Sequence, residues 1–320
     1  MSGNAIRREF LPRFKGLPRQ SRARAGLVLA SYLLQTAFAM ALGAQLASSG
    51  TGAGIAAAAA AAAFIATRLR GLNNIVHECS HATFAQDHAC NETFGTIAAA
   101  LTLGSFRAYR RAHLTHHSHL GDHERDLDFK GIQVYRFEAP LTARTLLRHI
   151  VTPVVGLHLP VYAKPDLSMR DGAFAAAMKL AILFAACCWA AVDPVSATVL
   201  FLLPWFWLLP AINYWTDCVD HAGLWSAVDS LHTARNAVLP LALRWLLFPR
   251  NDCYHLIHHL FPGIPSQHLP ACHGRLLESS VYKRAQERNR LVATTADRPY
   301  GRRRQAICEE EARSMTGRAE

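Results

Sequence analysis

The residues in this sequence with the clearest chemistry are three histidine clusters. HECSH places His77 and His81 four residues apart, HLTHH supplies His113, His116 and His117, and HLIHH supplies His255, His258 and His259. On a helix, positions i, i+3 and i+4 share a face, so each cluster is expected to present two or three imidazoles toward a common point. Imidazole suits zinc, copper, iron or nickel, so ligand type alone does not choose the metal. Eight imidazoles are too many for one zinc ion, which takes about four ligands in structural sites and about three plus water in catalytic ones. They suit two ions with higher coordination and open positions. Read alone, HECSH is also the H-E-x-x-H signature of zinc metalloproteases, with Glu78 as general base. That reading leaves both H-x-x-H-H clusters without a task. It also lacks a later acidic ligand inside a span, since the one candidate, Asp193, falls at a predicted turn. A non-enzymatic, metal-handling membrane protein is a further alternative, but transporters place ligands within their spans, whereas these histidines follow them.

The elements that must position the histidines are written in the charge pattern. No charged residue occurs in the 43 positions from Ala25 to Thr67, and the 45 positions from Gly172 to Thr216 contain only Lys179 and Asp193. Each run is about twice the roughly 20 residues that cross a bilayer. Each is broken near its middle by turn residues, Ser48 to Gly52 in the first and Asp193-Pro194 in the second. The expected fold is therefore an all-α integral membrane protein. Four transmembrane helices, at about 25–47, 52–70, 172–192 and 196–216, form two hairpins beneath a cytoplasmic helical cap that carries the histidines. Lys179 is close enough to its span's start to snorkel toward the headgroups.

The net charge of +11 does not point to nucleic acid, because the basic residues flank the spans. Arg7, Arg8, Arg13, Lys15, Arg19, Arg22 and Arg24 precede the first; Arg68 and Arg70 follow the second; Arg302, Arg303 and Arg304 lie in the tail. This is the positive-inside pattern, with the termini and the histidine regions on the cytoplasmic side of what is expected to be a bacterial inner membrane. The N-terminus does not read as a cleavable signal. The eight cysteines form no C-x-x-C pair and no expected disulfide framework. Three regions follow: a basic cytoplasmic arm (1–24), a membrane domain (25–285) and a charged cytoplasmic tail (286–320). Within the domain, 93–105 is apolar but too short to span, and 146–163 reads as an interfacial helix rather than a fifth span.

The H-x-x-x-H, H-x-x-H-H, H-x-x-H-H series between paired hairpins resembles the membrane-bound fatty acid desaturase/hydroxylase family. RAYRRAHLTHHSHLGDHERDLD and FPRNDCYHLIHHLFPGIP agree with it, and the likeness covers roughly residues 25–285. The resemblance implies a non-haem di-iron centre that uses O₂ and two electrons to remove hydrogen from an unactivated C–H bond. The implied iron ligands are His77, His81, His113, His116, His117, His255, His258 and His259. It adds His221, in NYWTDCVDHAGLW. It also adds Asp217, where some relatives carry an asparagine that reaches the second iron through water. Ile257 departs from the Glu or Gln of many members. Asp126 and Asp128, after the second cluster, are candidates to orient metal-bound imidazoles, and Arg107, Arg110 and Arg111 could hold an anionic head group or lipid. The implied reaction is desaturation of an acyl chain in a membrane lipid or acyl thioester. Hydroxylation by the same centre, or desaturation of a small amino-acid-derived metabolite, are the alternatives. No H-P-G-G of a fused cytochrome b5 occurs, so electrons are expected from a separate ferredoxin-like or reductase partner. The oligomeric state is not legible. Glu78 has no assigned role, and Glu78→Gln is expected to leave the iron site largely intact.

Overall fold

The computed structural model describes residues 2–224 and 229–290. Among them the secondary structure is helical, with a single isolated bridge between Gln20 and Ala85. Helix α1 (Gly3–Phe14) precedes a first hairpin made of α2 (Arg22–Ala47) and α3 (Gly52–Ser80). Ser21 Oγ caps α2 and Thr51 Oγ1 caps α3, each accepting from a backbone N–H in the first turn. The two helices approach closely at Gly71, where a Cβ would lie 2.1 Å from the ring of Tyr32; only glycine admits this contact. Helix α3 continues past its apolar stretch for three more turns. From Ile65 to Ser80 almost every residue is buried, so the helix that crosses the membrane also forms the centre of the polar half and carries HECSH at its end.

Helices α4 (His88–Leu101) and α5 (Phe106–His119) pack against α3 and bring the second cluster beside the first. Helix α6 (Ala143–Val154) exposes Leu147, Ile150, Val151 and Val154 while burying His149 and Thr152, and α7 (Leu159–Tyr162) follows. At 12 residues, α6 is far shorter than the roughly 20 residues of a span. Its one-sided apolar face is that of a helix lying at an interface.

The second hairpin begins with α8 (Ala173–Val192). It returns as one apolar helix, Pro194–His221, composed of α9 (Pro194–Ala197), two π-helical turns (Thr198–Leu202 and Pro204–Leu208) and α10 (Leu209–His221). Pro204 and Pro210 have no N–H to give and crowd the preceding turn. The π turns, with Leu203 N–H donating to Thr198 O and Leu209 N–H to Pro204 O, keep the helix continuous around them. Short helices α11 (Leu241–Leu247), α12 (His255–Leu260), α13 (Leu269–Leu276) and α14 (Ser280–Arg288) complete the described chain. Among the described residues, four helices are thus long and apolar enough to cross a membrane.

Three readings of charged residues change. The basic N-terminal segment is not a free arm: α1 buries Ile6, Phe10 and Phe14 in the same core as Tyr254, Leu256 and Leu260 around the third histidine cluster. Phe14 meets Phe261 edge-on at 5.1 Å. Phe10→Ala is expected to cost about 3–5 kcal/mol, seen as a lower unfolding midpoint; a free arm would lose nothing. Arg68 and Arg70, counted among the basic residues that flank the spans, are buried. Arg68 is fully buried, stacked on Trp245 and hydrogen-bonded to the Trp245 carbonyl at 2.8 Å, and Arg70 pairs with Asp252. Lys179 does not snorkel either; its Nζ donates to the Asp166 carbonyl at 2.6 Å. These three cations are held by the fold and say little about sidedness.

Candidate metal centre

Nine histidines gather in two sets of buried and half-buried rings. His77, His81, His113, His117 and His258 form one; His116, His221, His255 and His259 form the other; within each set the potential ligand atoms all lie within 4.8 Å of one another. The two H-x-x-H-H clusters do not each aim at one point. Positions i and i+4 stay together while i+3 turns to the neighbouring set. Helix α5 therefore gives His113 and His117 to the first set and His116 to the second, and α12 gives His255 and His259 to the second and His258 to the first. The two sets adjoin, with the rings of His117 and His259 stacked at 4.4 Å.

The spacing of the nitrogens tests whether ions fit. His258 Nε2 lies 2.7 Å from His77 Nε2 and 2.9 Å from His117 Nε2, which is itself 3.1 Å from His113 Nε2. In the second set, His255 Nε2 lies 2.9 Å from His221 Nε2 and 3.0 Å from His259 Nε2. A ring nitrogen has one in-plane direction, occupied by a proton or a lone pair, so it cannot hydrogen-bond two neighbours at once. Lone pairs converging on an ion at about 2.1 Å, roughly at right angles, would be separated by about 3 Å. His81 Nε2 is buried without a hydrogen-bond partner in the protein, as expected of a nitrogen reserved for such an ion. The donor set fits two metal ions, and its all-imidazole chemistry is open to zinc, copper, iron or nickel.

The rings are oriented from behind. Asp128 Oδ2 is 2.9 Å from His113 Nδ1, Asp126 Oδ2 is 2.9 Å from His116 Nδ1, and His221 Nδ1 donates to the Thr233 carbonyl at 2.9 Å. Each contact fixes the tautomer that leaves Nε2 free for metal. Asp126 is fully buried and also accepts from the Phe129 N–H. Asp126→Asn is expected to weaken metal binding about 10–100-fold, measured by competition with a chelator.

Burial holds the pKa values of His113, His255, His258 and His259 well below the usual histidine range, and the neighbouring imidazoles add to this. They are neutral at pH 7 and offer lone pairs. For His116, burial lowers the pKa, but the hydrogen bond and charge of Asp126 outweigh it and raise the value. Holding a cation there would require loss of that proton. Burial also lifts the Asp128 carboxyl to about 6.

Of the remaining sequence candidates, Asp217 lies outside both sets, and its Oδ2 accepts from the Tyr162 hydroxyl at 2.7 Å. Arg110 pairs with Glu92, and Arg107 and Arg111 are exposed. Two buried ion pairs were not foreseen. Arg250 grips Glu78 through Nε and Nη2, the latter 2.8 Å from Oε2, and the Ser266 hydroxyl donates to the same oxygen at 2.7 Å. Arg70 pairs with Asp252. Both join α3 to the segment that leads into the third cluster. Glu78 is therefore a counter-ion, fully engaged and unavailable as the base of a protease. A cavity of about 330 Å³ opens onto both histidine sets, reaching His77 and His113 of the first and His116, His221 and His255 of the second.

Among the described residues, four apolar helices of membrane-crossing length and two adjoining histidine sets mark a membrane protein with a candidate binuclear metal centre. Residues 53–289 match the family model for fatty acid desaturase, and the chain belongs to that family. It is 28% identical over 220 residues to a dihydrorhizobitoxine desaturase of Bradyrhizobium elkanii, covering 61% of each chain. It is 28% identical over 237 residues to an sn-1 oleoyl-lipid 12-desaturase of Synechocystis sp., covering 67% of this chain and 66% of that one. It is 24% identical over 227 residues to a temperature-sensitive sn-2 acyl-lipid omega-3 desaturase (ferredoxin) of Arabidopsis thaliana, covering 60% of this chain and 50% of the relative. The aligned region thus spans less than two thirds of each relative's length.

Proposed function

We propose that this protein is a membrane-bound, O₂-dependent desaturase whose nine clustered histidines hold two iron ions. His77, His81, His113, His117 and His258 would hold one, and His116, His221, His255 and His259 the other. Bound there, iron supplies the reduction of dioxygen and the abstraction of hydrogen from an unactivated C–H bond. The net change is R–CH₂–CH₂–R′ + O₂ + 2e⁻ + 2H⁺ → R–CH=CH–R′ + 2H₂O. The observation that carries the reading is the convergence of single Nε2 atoms on two neighbours each, which an ion satisfies and hydrogen bonding does not.

The protein's own contribution is positional. Asp126, Asp128 and the Thr233 carbonyl hold the imidazole tautomers. The cavity, which borders both sets and has Phe129 and Leu209 on its wall, would hold the substrate bond beside them. A separate ferredoxin-like or reductase protein would deliver the electrons, as the name of the Arabidopsis relative indicates for that enzyme. The active site would face the cytoplasm at a bacterial inner membrane, a placement supported by the exposed Arg7, Arg8, Arg13, Lys15, Arg19, Arg22 and Arg24 on the N-terminal segment. The test is metal analysis of the purified full chain together with product formation from a reduced donor with and without O₂. Two irons per chain and strict O₂ dependence are expected. A single zinc, with activity that survives removal of O₂, overturns the proposal.

A further inference from the structure

The cavity beside the metal centre has a strongly polar side as well as an apolar one. Asp217, Asp220, Asp128 and Asp252 line it, and its two cations are Lys164 at an exposed position and Arg70, which is committed to Asp252 and Asn213. Polar groups set against methylenes are costly, so this lining suits a substrate with polar groups close to the reacting carbons better than an uninterrupted acyl chain. At about 330 Å³ the space is near the lower end of small-molecule pockets, roughly 300–1,000 Å³.

Two side chains on α10 leave defined polar atoms unspent. The Asn213 carbonyl oxygen accepts from Arg70 Nη1 at 2.9 Å. This contact assigns the amide orientation and turns the Nδ2 donor away from Arg70, with no protein partner among the described residues. The Tyr162 hydroxyl donates to Asp217 Oδ2 at 2.7 Å, leaving Oδ1 likewise without one. Both residues border the cavity. Asn213, Asp217 and His221 are spaced i, i+4 and i+8, so one helix face carries an amide donor, then a carboxylate, then a histidine of the second set.

We infer that this face recognises the zwitterionic head of a small aliphatic α-amino acid, with Asp217 Oδ1 accepting from the ammonium and Asn213 Nδ2 donating to the carboxylate. The inference rests on the desaturase reading and names its substrate class. Asp217 and His221 are about 6 Å apart along the helix axis, so the bond that is desaturated lies only a few carbons from the α-carbon. The Tyr162 bond holds Asp217 in place as an acceptor, and Phe129, Ile132 and Leu209 give the alkyl part an apolar wall.

The experiment measures binding of L-norleucine, hexylamine and hexanoate to the purified full chain in nanodiscs, with iron content determined in parallel. Norleucine is expected to bind most tightly, hexylamine less and hexanoate least. Asp217→Asn is expected to weaken norleucine at least roughly tenfold, the loss of one charged hydrogen bond, while two irons remain. The inference is overturned if hexanoate binds as well as norleucine in the wild type, a comparison that needs no variant. It is also overturned if Asp217→Asn loses iron but keeps norleucine affinity. Desaturation of an oleoyl lipid without norleucine binding removes this inference and leaves the desaturase; norleucine binding by a protein with zinc and no O₂-dependent reaction does the reverse.

Discussion

His258→Ala will retain about half of the wild-type iron and lose at least roughly a hundredfold in desaturation rate, more than the 10–100-fold expected from losing an outer partner. His258 is the sole contribution of α12 to the first set, and its Nε2 faces those of both His77 and His117. Removing it leaves four imidazoles, one i,i+4 pair each from α3 and α5, and opens the side of the set that faces α12. The second set keeps all four of its members, so the loss should stop near one ion. His88→Ala is the control, because His88 is exposed and, among the described residues, lies near Glu92 at 3.7 Å rather than near either histidine set. Iron assayed colorimetrically beside turnover checks both variants. Full iron in His258→Ala would remove His258 from the centre.

The sequence made the donors legible but not their grouping. Spacing within a helical turn is local, so His113, His116 and His117 could be recognised as one face of α5. Which of them serves which set depends on where α3, α10 and α12 stop, and no periodicity records that. His221 stands alone in its segment and was visible only through the family resemblance. The ion pairs Arg70–Asp252 and Glu78–Arg250 join residues 182 and 172 positions apart, and the sequence pattern does not link their partners. The sequence does carry one sign of docking: Ile6, Phe10 and Phe14 recur every four residues, the stripe of a docked amphipathic helix. The many arginines between them made the segment look like a solvated arm. The same weight given to flanking charge counted Arg68 and Arg70 as markers of sidedness, when an apolar helix was carrying them into the core.

Glu78→Ala will destabilise the protein by about 3–5 kcal/mol and strip much of its iron, because it leaves the guanidinium of Arg250 buried without a counter-charge. The Glu78 and Arg250 side chains are only 9% and 8% exposed, so water cannot replace the lost partner. The consequence extends to the metal centre. Arg250 and Asn251 both have left-handed backbone, at φ 65° and 61°, a conformation that costs non-glycine residues about 1–3 kcal/mol each and persists where surrounding contacts enforce it. The Glu78 carboxylate and Ser266 supply those contacts, and four residues later the chain enters α12 with His255, His258 and His259. Glu78→Gln will share the defect in weaker form, since an amide can accept from Arg250 but carries no charge; the expectation from sequence that the iron site tolerates it is revised. The double variant Glu78→Met with Arg250→Met will recover most of the stability, as apolar replacements of buried ion pairs often do. Unfolding midpoints and iron content of the singles and the double form a cycle that isolates the pair. A single-variant cost below about 1 kcal/mol, the value of an exposed pair, would show that this contact does not hold the third histidine cluster.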